Sequence, residues 1–308
     1  MSENDWPLAG KRVGILGRGG CGKSTLTALL AQGLAHRGHR VCVLDADSTN
    51  VGLFMALGLE KSPAPLIDHF GGMVFSGGRV TCPVDDPRPL RGARISLRDL
   101  PSQFFSQTPE GIIYLTVGKM GHRGAGGGCD GPLGKIARDF RLELDDEPLV
   151  TLIDFKAGFE DTARGIITGL DMALVVVDPT GPAVEMAVDM KTMVEQIRAG
   201  ELPATDHLDN PELVEAARQS FHRARILSLS YVLNKVRNNE IEHYLRDRLS
   251  DWGITPLAVI REDPGISVSW LRGRPLVNRG AESEIASIIG GLEASASSPG
   301  AGAMPLRG

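Results

Sequence analysis

Residues 17–25 decide how this chain folds, and they read Gly17-Arg18-Gly19-Gly20-Cys21-Gly22-Lys23-Ser24-Thr25. The first eight satisfy the pattern G-x-x-x-x-G-K-[ST], in which glycines let the backbone turn its amides around a phosphate group. An apolar run at 12–16 precedes the stretch and a helical pattern at 23–35 follows it, which is the context the pattern requires. We therefore predict a phosphate-binding loop. The bland alternative is a glycine-rich turn that only caps a helix.

Chemistry assigns each part of this loop a task. Lys23 is expected to bridge β- and γ-phosphate oxygens, while the Ser24 hydroxyl ligates Mg²⁺. The free amides at the start of the following helix add positive potential. A dinucleotide-binding loop is a poorer match, because that motif does not call for the Gly-Lys-Ser ending.

Beyond the loop, short apolar runs alternate with longer helical patterns. The predicted strands are 12–16, 41–44, 112–117, 149–153, 173–177, 226–233 and 257–260, and the predicted helices are 23–35, 183–197, 240–249 and 282–292. Several strands are apolar at consecutive positions, which suits strands covered on both faces. We predict an α/β, three-layer P-loop NTPase fold with a mostly parallel sheet and helices on both faces.

The composition is that of a globular protein, with 42% hydrophobic and 23% charged residues in 308. We expect one ATPase domain over 1–293 and a disordered tail over 294–308, because the tail cannot bury apolar surface. An irregular insertion at about 60–110, rich in Pro, Gly and Asp, is a candidate for a mobile or partner-facing element. The polar stretch 200–210 is a second, smaller one.

Charge and cysteine content narrow the class further. The formal charge is −5, from 33 basic and 38 acidic residues, so no stable nucleic-acid binding is expected. The first residues lack a signal-peptide layout, the tail lacks an amphipathic membrane anchor, and no apolar run is long enough to cross a bilayer. We expect a cytoplasmic protein with four reduced cysteines.

Carboxylates follow two predicted strands. Asp154 ends the run 149–153 and is the expected magnesium-side residue, although an Asp that caps the next segment is the alternative. Asp45 and Asp47 follow the second strand. We favour Asp45 for the magnesium shell and Asp47 for orienting or deprotonating the attacking water. Either residue can instead be a turn-forming Asp.

The base of the nucleotide is expected near Asn234. Its amide offers both a donor and an acceptor, which suits an adenine edge, and the alternative is an Asn in a strand-to-helix turn. Arg237 stands where a guanine-reading motif needs a carboxylate, which favours ATP over GTP.

With these residues together, the chain resembles the MinD/ParA-like class of P-loop ATPases, which have a deviant Walker A loop of the form GKGGxGK[ST]. Within that class it is most similar to the CooC-type accessory ATPases that assist nickel insertion into carbon monoxide dehydrogenase. The likeness runs from Gly17 to about Leu292 and includes Leu-Asp-Ala-Asp at 44–47, Asp-Phe-Lys-Ala-Gly at 154–158 and Leu-Asn-Lys-Val at 233–236.

This resemblance implies a homodimer with two ATP molecules at its interface, in which a lysine at the second loop position reaches the partner's site. Here that position is Arg18, which keeps the charge, and Lys156 replaces an acidic residue and is a candidate for part of the lysine's function. The nickel-linked relatives carry a C-x-C pair, whereas this chain has Cys129 followed by Asp130 and Gly131. Ni²⁺ or Zn²⁺ binding then needs Asp130 or His122 to complete the ligands, and a surface loop with an incidental thiol is the alternative.

Three functions remain open from the sequence. The leading hypothesis is a dimeric Mg-ATPase that loads a metal or cofactor into a client enzyme, or remodels that enzyme. The second is a positioning or partition ATPase of the ParA/MinD type. The third is an ATP-binding scaffold with little hydrolysis, suggested by Arg18 and Lys156.

Overall fold

An eight-stranded sheet forms the centre of the protein. The structure, a computed structural model, describes residues 6–119, 129–145, 147–158, 165–201, 204–277 and 280–297. The strands are β1 (Arg12–Gly17), β2 (Val41–Ala46), β3 (Arg94–Ser96), β4 (Ser106–Gln107), β5 (Ile113–Thr116), β6 (Arg141–Glu143), β7 (Val150–Phe155), β8 (Met172–Val177), β9 (Ser228–Val236) and β10 (Ala258–Arg261). The central order is β10-β9-β8-β1-β7-β2-β5-β4, and β3 pairs with β6 separately.

Within the central sheet, every neighbouring pair is parallel except β4 with β5. All seven predicted strands are present, with ends shifted by at most three residues. Parallel neighbours need crossover connections, so the carboxyl ends of β1, β2, β5, β7, β8 and β9 lie along one edge. That edge carries the residues singled out from the sequence.

Helices cover both faces of the sheet. They are α1 (Lys23–His36), α2 (Leu53–Ala56), α3 (Leu66–His69), α4 (Gly131–Asp139), α5 (Gly181–Arg198), α6 (Pro211–His222), α7 (Asn239–Ser250), α8 (Pro264–Leu271) and α9 (Glu282–Ser297). One buried cluster joins the sheet to α4, α5 and α7, and a second joins it to α1 and α9. The predicted three-layer P-loop NTPase architecture is therefore confirmed.

The irregular insertion contributes to the core. Leu66, Ile67, Leu100 and Phe104 are buried in the cluster that contains α4 and α5. β3 from the insertion pairs with β6, the strand that follows α4. The segment therefore has short elements of its own that pack on the sheet, and a partner-facing role stays a prediction.

The last helix is longer than the sequence predicted. The predicted helix ends at residue 292, whereas α9 continues through Ser297, four residues into the predicted tail. The reason is tertiary: Glu293 accepts a hydrogen bond from Arg37, the residue that follows α1, and contacts His39, so these turns are held against the end of α1. Residues 298–308 lie outside the described residues. Among the helices in the described ranges, none is both long and apolar enough to traverse a lipid bilayer.

Candidate functional site

The glycine-rich loop joins β1 to α1 with a backbone that requires glycine. Gly17, Gly20 and Gly22 have φ angles of 149°, 79° and 100°. A Cβ on Gly22 would lie 2.2 Å from the Asn234 amide nitrogen, and one on Gly17 would lie 2.6 Å from the Val176 carbonyl oxygen. Side chains are therefore excluded at these two positions by both conformation and space.

Lys23 is the first residue of α1 and is 5% exposed. Its ammonium nitrogen lies 3.2 Å from the Gly17 carbonyl oxygen and 3.0 Å from that of Arg18. The charge is thus held across the loop, next to the amides that begin the helix. Arg18, Gly19 and Gly20 form the exposed crest of the loop.

Ser24 and Asp154 meet at the base of the loop. The Ser24 hydroxyl donates to Asp154 Oδ2 at 2.5 Å and accepts from the Asn50 amide at 2.8 Å. Asp154 is fully buried, and Thr27 Oγ1 lies 3.4 Å from its other oxygen. Burial, and then the nearby Asp45 carboxylate, raise the pKa of Asp154 to about 7, while the Ser24 hydrogen bond opposes this rise. A hydroxyl and a carboxylate are oxygen ligands that fit Mg²⁺.

Asp45 is held by two groups that the sequence did not indicate. It lies opposite Asp154 in the β2–β7 register and is 1% exposed. Lys119 donates to its two oxygens at 2.7 and 2.8 Å, and the Tyr114 hydroxyl donates at 2.7 Å. Burial raises the pKa of Asp45, and Lys119 opposes that rise. The sequence feature that could have indicated Lys119 is its position, because it follows β5, the strand beside β2. The magnesium-shell role of Asp45 stays a prediction.

Asp47 shapes a turn in this structure. Its Oδ1 accepts hydrogen bonds from the Thr49 backbone amide at 2.9 Å, the Thr49 hydroxyl at 2.7 Å and the Asn50 backbone amide at 3.2 Å. This is the turn-forming alternative that the sequence left open. The turn also delivers Asn50 to Ser24, a contact that sequence reasoning missed. A role for Asp47 in orienting water remains a prediction.

Lys156, which follows β7, forms an ion pair with Asp130 at 2.6 Å. The Ser48 hydroxyl donates to the same Asp130 oxygen at 3.2 Å. The segments after β2 and β7 therefore meet at one carboxylate, immediately before α4.

Asn234 and Lys235 at the end of β9 brace the loop from the other side. The Asn234 amide donates to the Cys21 carbonyl oxygen at 2.7 Å, and the Lys235 ammonium donates to that of Gly20 at 2.7 Å. Lys235 has a φ of 59°, which is uncommon outside glycine. Contact with a nucleobase stays a prediction for Asn234. A cleft of about 800 Å³, lined by residues that include Lys235, lies alongside.

Thr25, the last loop residue proposed for nucleotide binding, contacts α8. Its hydroxyl accepts a hydrogen bond from the Trp270 indole at 2.9 Å. Trp270 belongs to no recognised sequence motif, so only the tertiary structure shows that it contacts the loop.

The cysteines fall into two groups. Cys21 and Cys42 are buried, and burial raises the pKa of their thiols to about 11 and about 12. Cys129 is exposed. Cys82, from the insertion, lies beside Gly131: a Cβ on that glycine would be 2.5 Å from its sulfur. This proximity of Cys82 to the segment of Cys129 was not apparent from the sequence.

Across the ranges that the structure describes, no group of three or more His, Cys, Asp or Glu residues is placed to hold a metal ion. His122 lies outside those ranges. The Ni²⁺ or Zn²⁺ prediction at Cys129 therefore stays a prediction.

Together, the constrained glycines, the lysine across the loop and the Ser24–Asp154 pair define a P-loop nucleotide-binding protein. Amides at a helix start and a fixed cation favour phosphate groups, and the paired oxygens favour a hard divalent cation.

Comparisons with known proteins agree with this class. Residues 15–276 match the family model described as the CobQ/CobB/MinD/ParA nucleotide binding domain. An ATP-binding protein of Methanocaldococcus jannaschii is 32% identical over 189 residues, covering 60% of this chain and 74% of that protein. The carbon monoxide dehydrogenase accessory protein CooC of Rhodospirillum rubrum is 29% identical over 187 residues, covering 60% and 70%.

Among solved structures, the septum site-determining protein MinD of Pyrococcus horikoshii, in complex with Mg-ADP, matches with a TM-score of 0.54. It is 18% identical and covers 93% of this chain and 94% of that one. This chain belongs to the CobQ/CobB/MinD/ParA nucleotide-binding family, and within it is a MinD/ParA-like ATP hydrolase close to CooC.

Proposed function

We propose that the protein is a Mg²⁺-dependent ATPase that works as a nucleotide-switched homodimer and matures a metal- or cofactor-containing client enzyme. The observation that carries the switch is the Lys156–Asp130 ion pair, to which Ser48 also donates. Lys156 is 30% exposed and Asp130 is 11% exposed, so the pair is partly desolvated. An anionic phosphate would compete with Asp130 for Lys156. Loss of the ion pair would then separate the segments that follow β2 and β7 from the start of α4.

The cation would be held by Ser24 and Asp154, with Mg²⁺ neutralising the charge on the phosphate oxygens. A divalent cation at this position would favour the ionised form of the Asp154 carboxylate and so oppose the rise in its pKa that burial causes. Lys23, already held across the loop, supplies a second positive charge to the same oxygens.

Dimerisation is proposed from the resemblance and from Arg18. This residue sits on the exposed crest of the loop, where a guanidinium can reach a phosphate in a second subunit. The accessory role is supported by the similarity to CooC, a carbon monoxide dehydrogenase accessory protein.

The test combines mass and turnover. Light scattering with a slowly hydrolysed ATP analogue is expected to give a dimer, and turnover per subunit is expected to rise with protein concentration. Arg18→Ala and Lys156→Ala should both lower turnover. Lys191→Ala should leave turnover unchanged, because Lys191 is a partly exposed lysine on α5 that pairs with Glu195 one turn away. A monomer with the analogue and a turnover independent of concentration would contradict the dimer. Loss in Arg18→Ala alone would remove Lys156 from the mechanism.

The proposal includes a metal cargo, Ni²⁺ or Zn²⁺, carried by the dimer. Two thiols per subunit, Cys129 and the nearby Cys82, would supply four soft ligands in a dimer, the number a closed zinc site takes. Anaerobic metal analysis of the analogue-bound dimer is expected to find about one nickel or zinc per dimer. Cys129→Ser and Cys82→Ser should each lose it, and Cys42→Ser should not. A metal-free wild-type dimer would refute the cargo while leaving the ATP switch intact.

A further inference from the structure

A second cleft lies away from the nucleotide loop, between the insertion and α4. It has a volume of about 640 Å³, which is within the range of small-molecule sites. Phe70 and Leu90, which are partly buried, contribute apolar walls. Neither the phosphate chemistry nor the family motifs account for it.

The cleft is strongly cationic in an acidic protein. Arg79, Arg88, Arg91 and Lys135 line it, against a single lining carboxylate, Asp86. The chain as a whole carries a net charge of −5, so the local charge of the cleft is opposite in sign to that of the protein. Cations lining a concave, partly apolar surface attract anions more strongly than the same charges on an open surface.

Two of these cations are already engaged. Lys135 is 4% exposed and donates to the Asp86 carbonyl oxygen at 2.7 Å, and Arg88 binds both Asp86 oxygens at 2.8 and 3.0 Å. Burial lowers the pKa of Lys135. Burial alone would raise the pKa of Asp86, but hydrogen bonding from Arg88 and the charge of Lys135 outweigh it and lower this pKa to about 2.

The wall of the cleft is also held rigidly. Arg138 is 5% exposed and donates to the Pro87 and Arg88 carbonyl oxygens at 3.0 and 3.2 Å. Asp139 accepts from the Leu90 amide at 2.8 Å. The loop that carries Arg88 and precedes Arg91 is thus fixed to α4, which reduces the entropy lost when a ligand binds.

Arg79 and Arg91 remain for a ligand. Both are exposed, and within the described ranges neither guanidinium makes an ion pair. A Cβ on Gly71 would lie 3.1 Å from Arg79 Cδ, so a glycine at this position leaves room for the arginine stem. Guanidinium groups bind carboxylates and phosphates in a bidentate manner.

We propose that this cleft binds a small organic anion, of the carboxylate or phosphate-ester class, between Arg79 and Arg91, with its apolar body against Phe70 and Leu90. The site is separate from the nucleotide loop. Its wall, α4, begins directly after Asp130, so a ligand here contacts the same helix that the nucleotide-side ion pair adjoins.

The test is titration calorimetry at low ionic strength on full-length protein saturated with Mg-ADP, which fills the phosphate loop. The probes are benzoate and acetate for the carboxylate arm, and phenyl phosphate and inorganic phosphate for the phosphate arm. At least one organic probe is expected to bind with a Kd below about 1 mM. The double variant Arg79→Gln/Arg91→Gln should weaken that binding at least about tenfold, because two charge-assisted contacts are lost.

The matched control is Arg223→Gln/Arg225→Gln, which removes the same charge from exposed positions outside the cleft and should leave binding unchanged. Thermal melting establishes that both variants are folded. No heat from any organic probe, or equal affinity in wild type and Arg79→Gln/Arg91→Gln, would overturn the proposal. Equal weakening of binding by the control pair would show that affinity depends only on the net charge of the protein, and would also overturn the proposal.

Discussion

Replacing Lys119 by methionine tests whether the buried Asp45 depends on the cation that the tertiary structure brings to it. The substitution keeps the length of the side chain and removes its charge. Asp45 is 1% exposed and Lys119 is 13% exposed, so the pair is nearly desolvated. In Lys119→Met, the Asp45 carboxylate retains only the Tyr114 hydroxyl among its two side-chain partners.

Removing one partner of a buried ion pair typically costs about 3–5 kcal/mol, because the other charge stays buried and unpaired. We expect the lower end, about 3 kcal/mol, since Tyr114 still donates and the carboxyl can take up a proton to lose its charge. Burial already raises the pKa of Asp45, and removing Lys119 raises it further. A domain of ordinary stability, about 5–15 kcal/mol, remains folded after this loss.

The assay is urea unfolding of nucleotide-free protein, followed by circular dichroism, with unchanged slopes against denaturant as the condition for comparison. Asp45→Asn is measured as the second single variant, and the control is the double variant Lys119→Met/Asp45→Asn, in which no buried charge is left unpaired. It should be more stable than Lys119→Met alone, which gives a coupling energy between the two positions. A loss below about 1 kcal/mol in Lys119→Met, or strict additivity of the two single losses, would refute the reasoning.

Three further predictions concern other contacts. Gly22→Ala should weaken ATP binding by about 5- to 30-fold, measured by equilibrium titration, because alanine at a φ of 100° costs about 1–2 kcal/mol and its Cβ meets Asn234. Unchanged affinity would contradict this. A nucleotide-dependent change in tryptophan fluorescence should persist in Trp252→Phe and disappear in Trp270→Phe, with affinity altered less than about fivefold for one lost hydrogen bond. Asp86→Asn should lower the melting temperature at pH 6, and the difference should shrink as the pH falls from about 4 towards 2. A carboxyl with a lowered pKa stabilises fully above its unfolded pKa and loses that contribution as the pH falls through its folded pKa. A difference that persists at low pH would argue against the ion pair.

Local sequence patterns determined much of the fold. Seven of the strands and four of the long helices follow from apolar runs and helical spacing, because these patterns act through backbone conformation and burial within one segment. The phosphate loop follows from its glycines, since Gly17, Gly20 and Gly22 need left-handed or otherwise restricted φ angles that other residues rarely adopt. Helix α4 was missed because Gly131, Pro132 and Gly134 obscure its helical pattern.

Which side chains meet was decided only by the tertiary structure. Lys119 reaches Asp45 because β5 lies beside β2, and Cys82 reaches Gly131 because the insertion folds back over α4. These contacts join residues about 50–75 positions apart, and no local propensity encodes the strand order or loop path that brings them together. The sequence by itself therefore determined the loop, the sheet and the class of chemistry. Long-range packing decided the partners of each buried charge, the length of α9 and the cationic cleft. The free energy of each such contact depends on where the neighbouring elements lie.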